Sequence, residues 1–232
     1  TDANVVFEGK LPGDAAGSWL VTGRRTYYDL VAERITDQQF PAFADLQAKA
    51  VWEPAAGRKV SFFGLLSRQA AAVEIDEDDA QGEFQDDTDN DLAWARFDSP
   101  IGTTGQSHTV VAFSDTRSTF GVDASFQQTS RRSNAPGDEA FGIANVVFER
   151  ALSVRDLSVR QEFTWALGRH VVESGAEAHR LSTALRYEIT GDRNPSADNG
   201  SSQQGGAGLP DQLVSSQRST RIGAWIQDTF PI

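Results

Sequence analysis

Cysteine is absent from the 232 residues. That excludes disulfides, cysteine-ligated iron–sulfur clusters and thiol catalysis, but fixes no compartment. Methionine is absent as well, even at position 1, and no secretory signal is visible at the start. Long apolar runs are missing. No stretch approaches the roughly 18 residues that a membrane-spanning helix needs. Basic charge is scarce: 21 Lys and Arg stand against 33 Asp and Glu, a net −12. A surface of that sign repels phosphate backbones, so no nucleic-acid partner is expected. Mean hydropathy is slightly polar. A strand that alternates apolar and polar residues averages to such a value, so hydropathy does not separate a soluble chain from a membrane barrel.

What the chain does carry is period-two alternation. Across 45–52 the apolar Leu46, Ala48, Ala50 and Trp52 interleave with Asp45, Gln47 and Lys49. In a strand those two sets face opposite sides. Pro54 and Gly57 break the ladder, and 59–69 returns with Val60, Phe62 and Leu66 on one face. The same unit recurs. Strands are expected near 3–10, 18–27, 43–53, 58–72, 90–97, 106–120, 143–166, 170–190 and 217–230. The connections 11–17, 54–57, 98–105 and 167–169 are short; 28–42, 73–89, 121–142 and 191–216 are long. That strict alternation is how outer-membrane barrels sort periplasmic turns from extracellular loops.

The stretch 143–166 is read as one long strand rather than two divided near Ser153. Leu157, Val159, Phe163 and Trp165 share one face, and Ser158, Arg160, Glu162 and Thr164 the other. In its partner, Glu173, Glu177 and His179 oppose Val172, Ala176 and Ala178. The phase then flips to Leu181, Leu185, Tyr187 and Ile189 against Arg186 and Glu188, which predicts a β-bulge at His179–Arg180. Trp19, Trp52, Trp94 and Trp165 all adjoin short connections, as an aromatic girdle at a membrane interface would. Lys49, Arg160, Glu162, Glu173 and Glu177 are expected to line a polar interior.

The run 69–95 holds no Lys or Arg and many acids, and reads as a solvated loop. Asp76, Asp78, Asp79, Asp86, Asp87, Asp89 and Asp91 are its candidate ligand-binding residues. Asp87, Asp89 and Asp91 alternate as the oxygen ligands of a calcium loop do, but the bend glycine and distal Glu are missing; whether a metal binds is left open. Segment 28–35 has helical spacing, and 191–216 is too polar to bury. His108, His170 and His179 show no zinc spacing, and no nucleophile elbow is present. No catalytic residue and no cofactor is expected.

Four stretches resemble the barrel of TonB-dependent outer-membrane receptors: GSWLVTGRRTYYDL (17–30), DLQAKAVWEPAAGRKVSFFGLLSR (45–68), RQEFTWALGRHVVESGAEAHRL (160–181) and IGAWIQDTF (222–230). The resemblance implies a plugged barrel of about 22 strands that imports a scarce nutrient, of the siderophore, cobalamin or glycan class, energised through a TonB box. No plug, TonB box or terminal aromatic strand end is found here. The expectation is therefore an all-β chain, an antiparallel curved meander of about nine strands. Residues 1–232 would form an incomplete piece of a transmembrane β-barrel domain in the cell outer membrane. Its partners would be outer-membrane lipid, a small-molecule or glycan cargo, and the TonB complex acting through the absent plug. The alternatives are a non-TonB barrel (a porin or barrel hydrolase) and a soluble all-β binding module.

Overall fold

A computed structural model describes residues 2–27, 41–77, 80–131, 139–191 and 212–230. At 76–77, 80, 126–131, 139–146 and 191 it describes the backbone alone. The described chain is all-β, with no helix. Nine strands run in order: β1 (Asp2–Lys10), β2 (Gly17–Thr26), β3 (Ala42–Ala55), β4 (Arg58–Glu77), β5 (Ala80–Ile101), β6 (Gly105–Arg131), β7 (Glu139–Leu167), β8 (His170–Gly191) and β9 (Gln212–Thr229). They form one sheet in which each strand pairs antiparallel with its sequence neighbours. All nine expected strands are present, and the stretch through Ser153 is one strand.

The turns of one end share a device. Gly13, Gly57, Gly102 and Gly168 have φ of 72°, 73°, 62° and 66°. At Gly13, Gly102 and Gly168 an added Cβ would touch nothing within 4 Å. Glycine is therefore set there by backbone conformation, not by crowding. Three other glycines are set by space. Gly9, Gly105 and Gly175 lie directly across from Trp19, Trp165 and Trp225. A Cβ on Gly175 would come within 2.2 Å of the Trp225 ring. Each indole thus covers the bare backbone of its partner strand.

The register sorts side chains into two faces. One hydrogen-bonded row on the first face reads Gly9, Trp19, Ala50, Phe62, Ala95, Val111, Val159, Ala178, Ile222, one residue from each strand and none polar. Around it lie Val5, Phe7, Leu46, Trp52, Leu66, Phe97, Phe113, Leu157 and Ile226, all exposed. Together they make an apolar belt. The belt steps down the rows from β1, where it holds Val5 and Phe7, to β9, where it holds Ile222 and Ile226. On β7 it runs from Leu157 to Trp165, roughly 26 Å along the strand.

The opposite face is the more enclosed. Along β8 the odd positions from Glu173 to Ile189 are mostly half-buried, and the even positions are mostly exposed. Ser61 and Ala124, both on that face, are buried at 5% and 3%. In a single-layer sheet, neighbours shield one face more only where the sheet curves toward it. Ala124 is the sole buried hydrophobic among the described residues. The sheet therefore has no dry core between layers.

Three expectations are overturned. The bulge at His179–Arg180 is absent: β7 and β8 pair without a slip from Leu167↔His170 to Val146↔Gly191. The phase flip has another cause. The apolar belt ends at Ala178, and beyond it the same outward face carries Arg180, Ser182 and Arg186. The surroundings change while the register continues. The acidic run is not a long loop either. β4 reaches Glu77 and β5 begins at Ala80, so only 78–79 connect them, and the short–long alternation of connections fails there. An acidic sequence can run as strand when the next strands supply arginines, as described below. The loop expected at 121–142 shrinks because β6 and β7 extend to Arg131 and from Glu139, and β9 takes up 212–216 from the loop expected at 191–216. The helical segment 28–35 lies outside the described residues.

Candidate functional site

The enclosed face gathers the polar residues. Lys49, Arg160, Glu162, Glu173 and Glu177 all fall on it by register. Arg160 pairs across to Glu177, bonds to Glu162 and lies 5.0 Å over the Trp225 ring. Its charge is thus shared between the Glu162 carboxylate and an indole face. His179 Nδ1 is 2.9 Å from Asp156 Oδ2, and its Nε2 is 3.9 Å from Glu177. Asp156 Oδ1 is buried without a partner. Nearer the turns, His108 Nδ1 and Arg96 Nε both lie 2.6 Å from Asp98 Oδ1. His170, in the turn region, meets Asp228 at 2.7 Å. Each histidine therefore has an aspartate, and Asp98, Asp156, Asp228 and Trp225 join the sequence-read set. Hairpin arithmetic would have found the first pair: Asp98 and His108 are equidistant from the 102–104 turn.

No family model, curated protein or solved structure matches the chain.

The acidic residues do not converge. Residues 87–91 are extended strand, not a cation loop. Asp86 faces the enclosed side, opposite Ala71 and Phe120, while Asp87, Asp89 and Asp91 face outward. Arg68 takes Asp89 at 3.2 Å and Asp91 at 2.8 Å. Arg117 lies 3.7 Å from Asp91 and 2.8 Å from Asp115, which Arg155 also reaches at 3.2 Å. This alternating ladder of charge borders the belt on β4 to β7. The side chain of Asp115 is only 4% exposed, and the hydrogen bond from Arg117 holds its carboxyl below the usual range. Asp78 and Asp79 lie outside the described residues, and only the backbone of Asp76 is described. No group of three or more His, Asp or Glu placed to hold a metal occurs among the described residues.

Of the four expected girdle residues, Trp19, Trp52 and Trp165 lie on the belt face. Trp94 does not. It pairs with Phe63 and Ala112 on the enclosed face and stacks on the Phe63 ring at 5.6 Å. Its neighbours Ala93 and Ala95 take the belt positions. Three polar residues within the belt satisfy one another. Thr109 donates to Gln161 Oε1, and Gln161 Nε2 donates to Ser107 Oγ at 2.8 Å.

Proposed function

We propose that the sheet is part of a transmembrane β-barrel in an outer membrane, and that the chain serves a TonB-dependent receptor importing a scarce nutrient by gated transport. The observation that carries the barrel reading is the exposed apolar belt crossing all nine strands, backed by a polar, more enclosed face. In water such a belt would be a large contiguous sticky patch. A bilayer removes that conflict, because hydrocarbon is the solvent the belt matches. The side-to-side pairing of Thr109, Gln161 and Ser107 fits too, since lipid offers polar groups no partner.

The transport reading rests on the four sequence stretches that resemble the receptor family, and on an enclosed face dense in charge and suited to contact a plug. It assigns binding and passage to the protein, and no covalent chemistry. The test has two steps. Outer-membrane fractions should contain the protein. Cells lacking its gene should lose uptake of one class among ferric siderophores, cobalamin and oligosaccharides, and collapse of the proton-motive force in intact cells should abolish the same uptake. Uptake that persists without that force would leave a porin-like barrel as the better account.

A further inference from the structure

Beyond the belt on β7, β8 and β9 the outward face changes sign from the rest of the molecule. One row there reads Arg155, Ser182, Arg218, and the row next to it, toward the belt, reads Leu157, Arg180, Thr220. Arg180 is therefore the diagonal neighbour of both other arginines, about 7–8 Å away by strand geometry. Arg155 and Arg218 flank Ser182, about 10 Å apart. The three cations form a triangle with hydroxyls at its centre and edge. The next row outward is Ser153, Ala184, Ser216, so no acid on these strands enters the patch. The nearest carboxylate, Asp115, holds Arg155 from the β6 side. Arg180 and Arg218 are exposed and have no partner among the described residues. In a chain of net charge −12, two free arginines beside a third is a local exception.

The position of the triangle matters as much as its sign. Its lower edge joins the belt at Leu157, Val159, Ala178 and Ile222. A molecule seated on both would carry acyl chains against the belt and an anionic group at the arginines. We propose that Arg155, Arg180 and Arg218 bind the headgroup phosphate of an anionic membrane lipid, with Ser182 and Thr220 donating hydrogen bonds. The forks of Arg180 and Arg218 suit the oxygens of one phosphate, and Arg155, held by Asp115, adds its charge at the third corner. This inference rests on the membrane reading above, and adds to it one specific lipid site on the outward surface.

The test uses full-length protein purified in neutral detergent. It is reconstituted into phosphatidylcholine vesicles with and without admixed phosphatidylglycerol, and lipid retained after delipidation is counted by native mass spectrometry. The wild type should retain phosphatidylglycerol over phosphatidylcholine. The double variant Arg180→Gln/Arg218→Gln should lose that preference by about tenfold or more, the scale of one charge-assisted hydrogen bond. Ser182→Asp, which adds repulsion at the centre, should do the same, and Arg169→Gln in the 168–169 turn should not. Protein that fails to float with phosphatidylcholine vesicles overturns the membrane reading and this site together. Protein that floats but shows equal retention in the variants overturns this site alone. Competition by inorganic phosphate as strong as by the lipid would also overturn it, because the belt would then contribute nothing.

Discussion

Substituting Val159 by Lys separates a membrane-facing belt from a water-facing one. Val159 lies in the row that is apolar on every strand and is 46% exposed. Along β7 it stands about 13 Å from Arg155 at one border and about 20 Å from Trp165 at the other. It is therefore inside the belt, too far in for a lysine to reach headgroups freely. If that face meets lipid, Val159→Lys should cost about 2–4 kcal/mol, a 30- to 900-fold shift in the unfolding equilibrium. If it meets water, a side chain so exposed should tolerate the change within about 0.5 kcal/mol. The adjacent Ser158 supplies the control. It sits on the enclosed face opposite His179, with Asp156 and Glu177 nearby. Ser158→Lys adds a cation among carboxylates and should change stability by less than about 1 kcal/mol. The assay is urea unfolding of the protein in phosphatidylcholine bilayers, followed by tryptophan emission. A Val159→Lys variant as stable as wild type, or a Ser158→Lys variant that suffers equally, would refute the assignment of faces.

Further outcomes follow from the same geometry. Single-tryptophan proteins should be quenched by brominated lipid at Trp19, Trp52 and Trp165 and spared at Trp94 and Trp225; equal quenching at all five would contradict the parity of the strands. Gly175→Ala drives a methyl into the Trp225 ring and should cost about 1–3 kcal/mol in unfolding, an effect that Trp225→Ala in the same chain should largely relieve. Gly102→Ala meets no atom but keeps a left-handed backbone, so it should cost about 1–2 kcal/mol from conformation alone. Asp115, in the first polar row past Phe113, has a lowered folded pKa. Its stabilising contribution is complete above the unfolded value near 3.9 and fades as pH falls through the folded one. Asp115→Asn should therefore lower stability at neutral pH and flatten the acid limb of the stability curve; an unchanged acid limb would contradict this.

Much of the fold was legible because alternation is strong where one face is apolar. Leu46, Ala48 and Ala50 against Gln47 and Lys49 leave one arrangement, and the five enclosed polar residues follow from it. Legibility failed where both faces are wet. Across 74–91 no apolar phase exists, so sequence gives no sign of a strand; the sign lies in Arg68 and Arg117 on β4 and β6, which take up Asp89 and Asp91. Parity also failed at Trp94. Its nearness to a turn was visible, but the register puts the small Ala93 and Ala95 on the apolar face and Trp94 on the enclosed one. The phase flip after His179 was real, yet its cause is a change of surroundings along an unbroken ladder. The histidine–aspartate pairs were missed because Asp156 and His179 are 23 residues apart and meet only through register.

If the sheet stands in a bilayer as proposed, the downward step of the belt from β1 to β9 fixes more than which residues meet lipid. A bilayer is level, so a belt that slants across the hydrogen-bond rows means that the strands lean within it. Following one row sideways then climbs out of the membrane, as along the thread of a screw. Any strand that pairs with β9 has to bring its apolar stretch in lower on the ladder than Ile222, and any that pairs with the free edge of β1 higher than Phe7. The offset at which a barrel containing this sheet closes is thus already written into the nine strands.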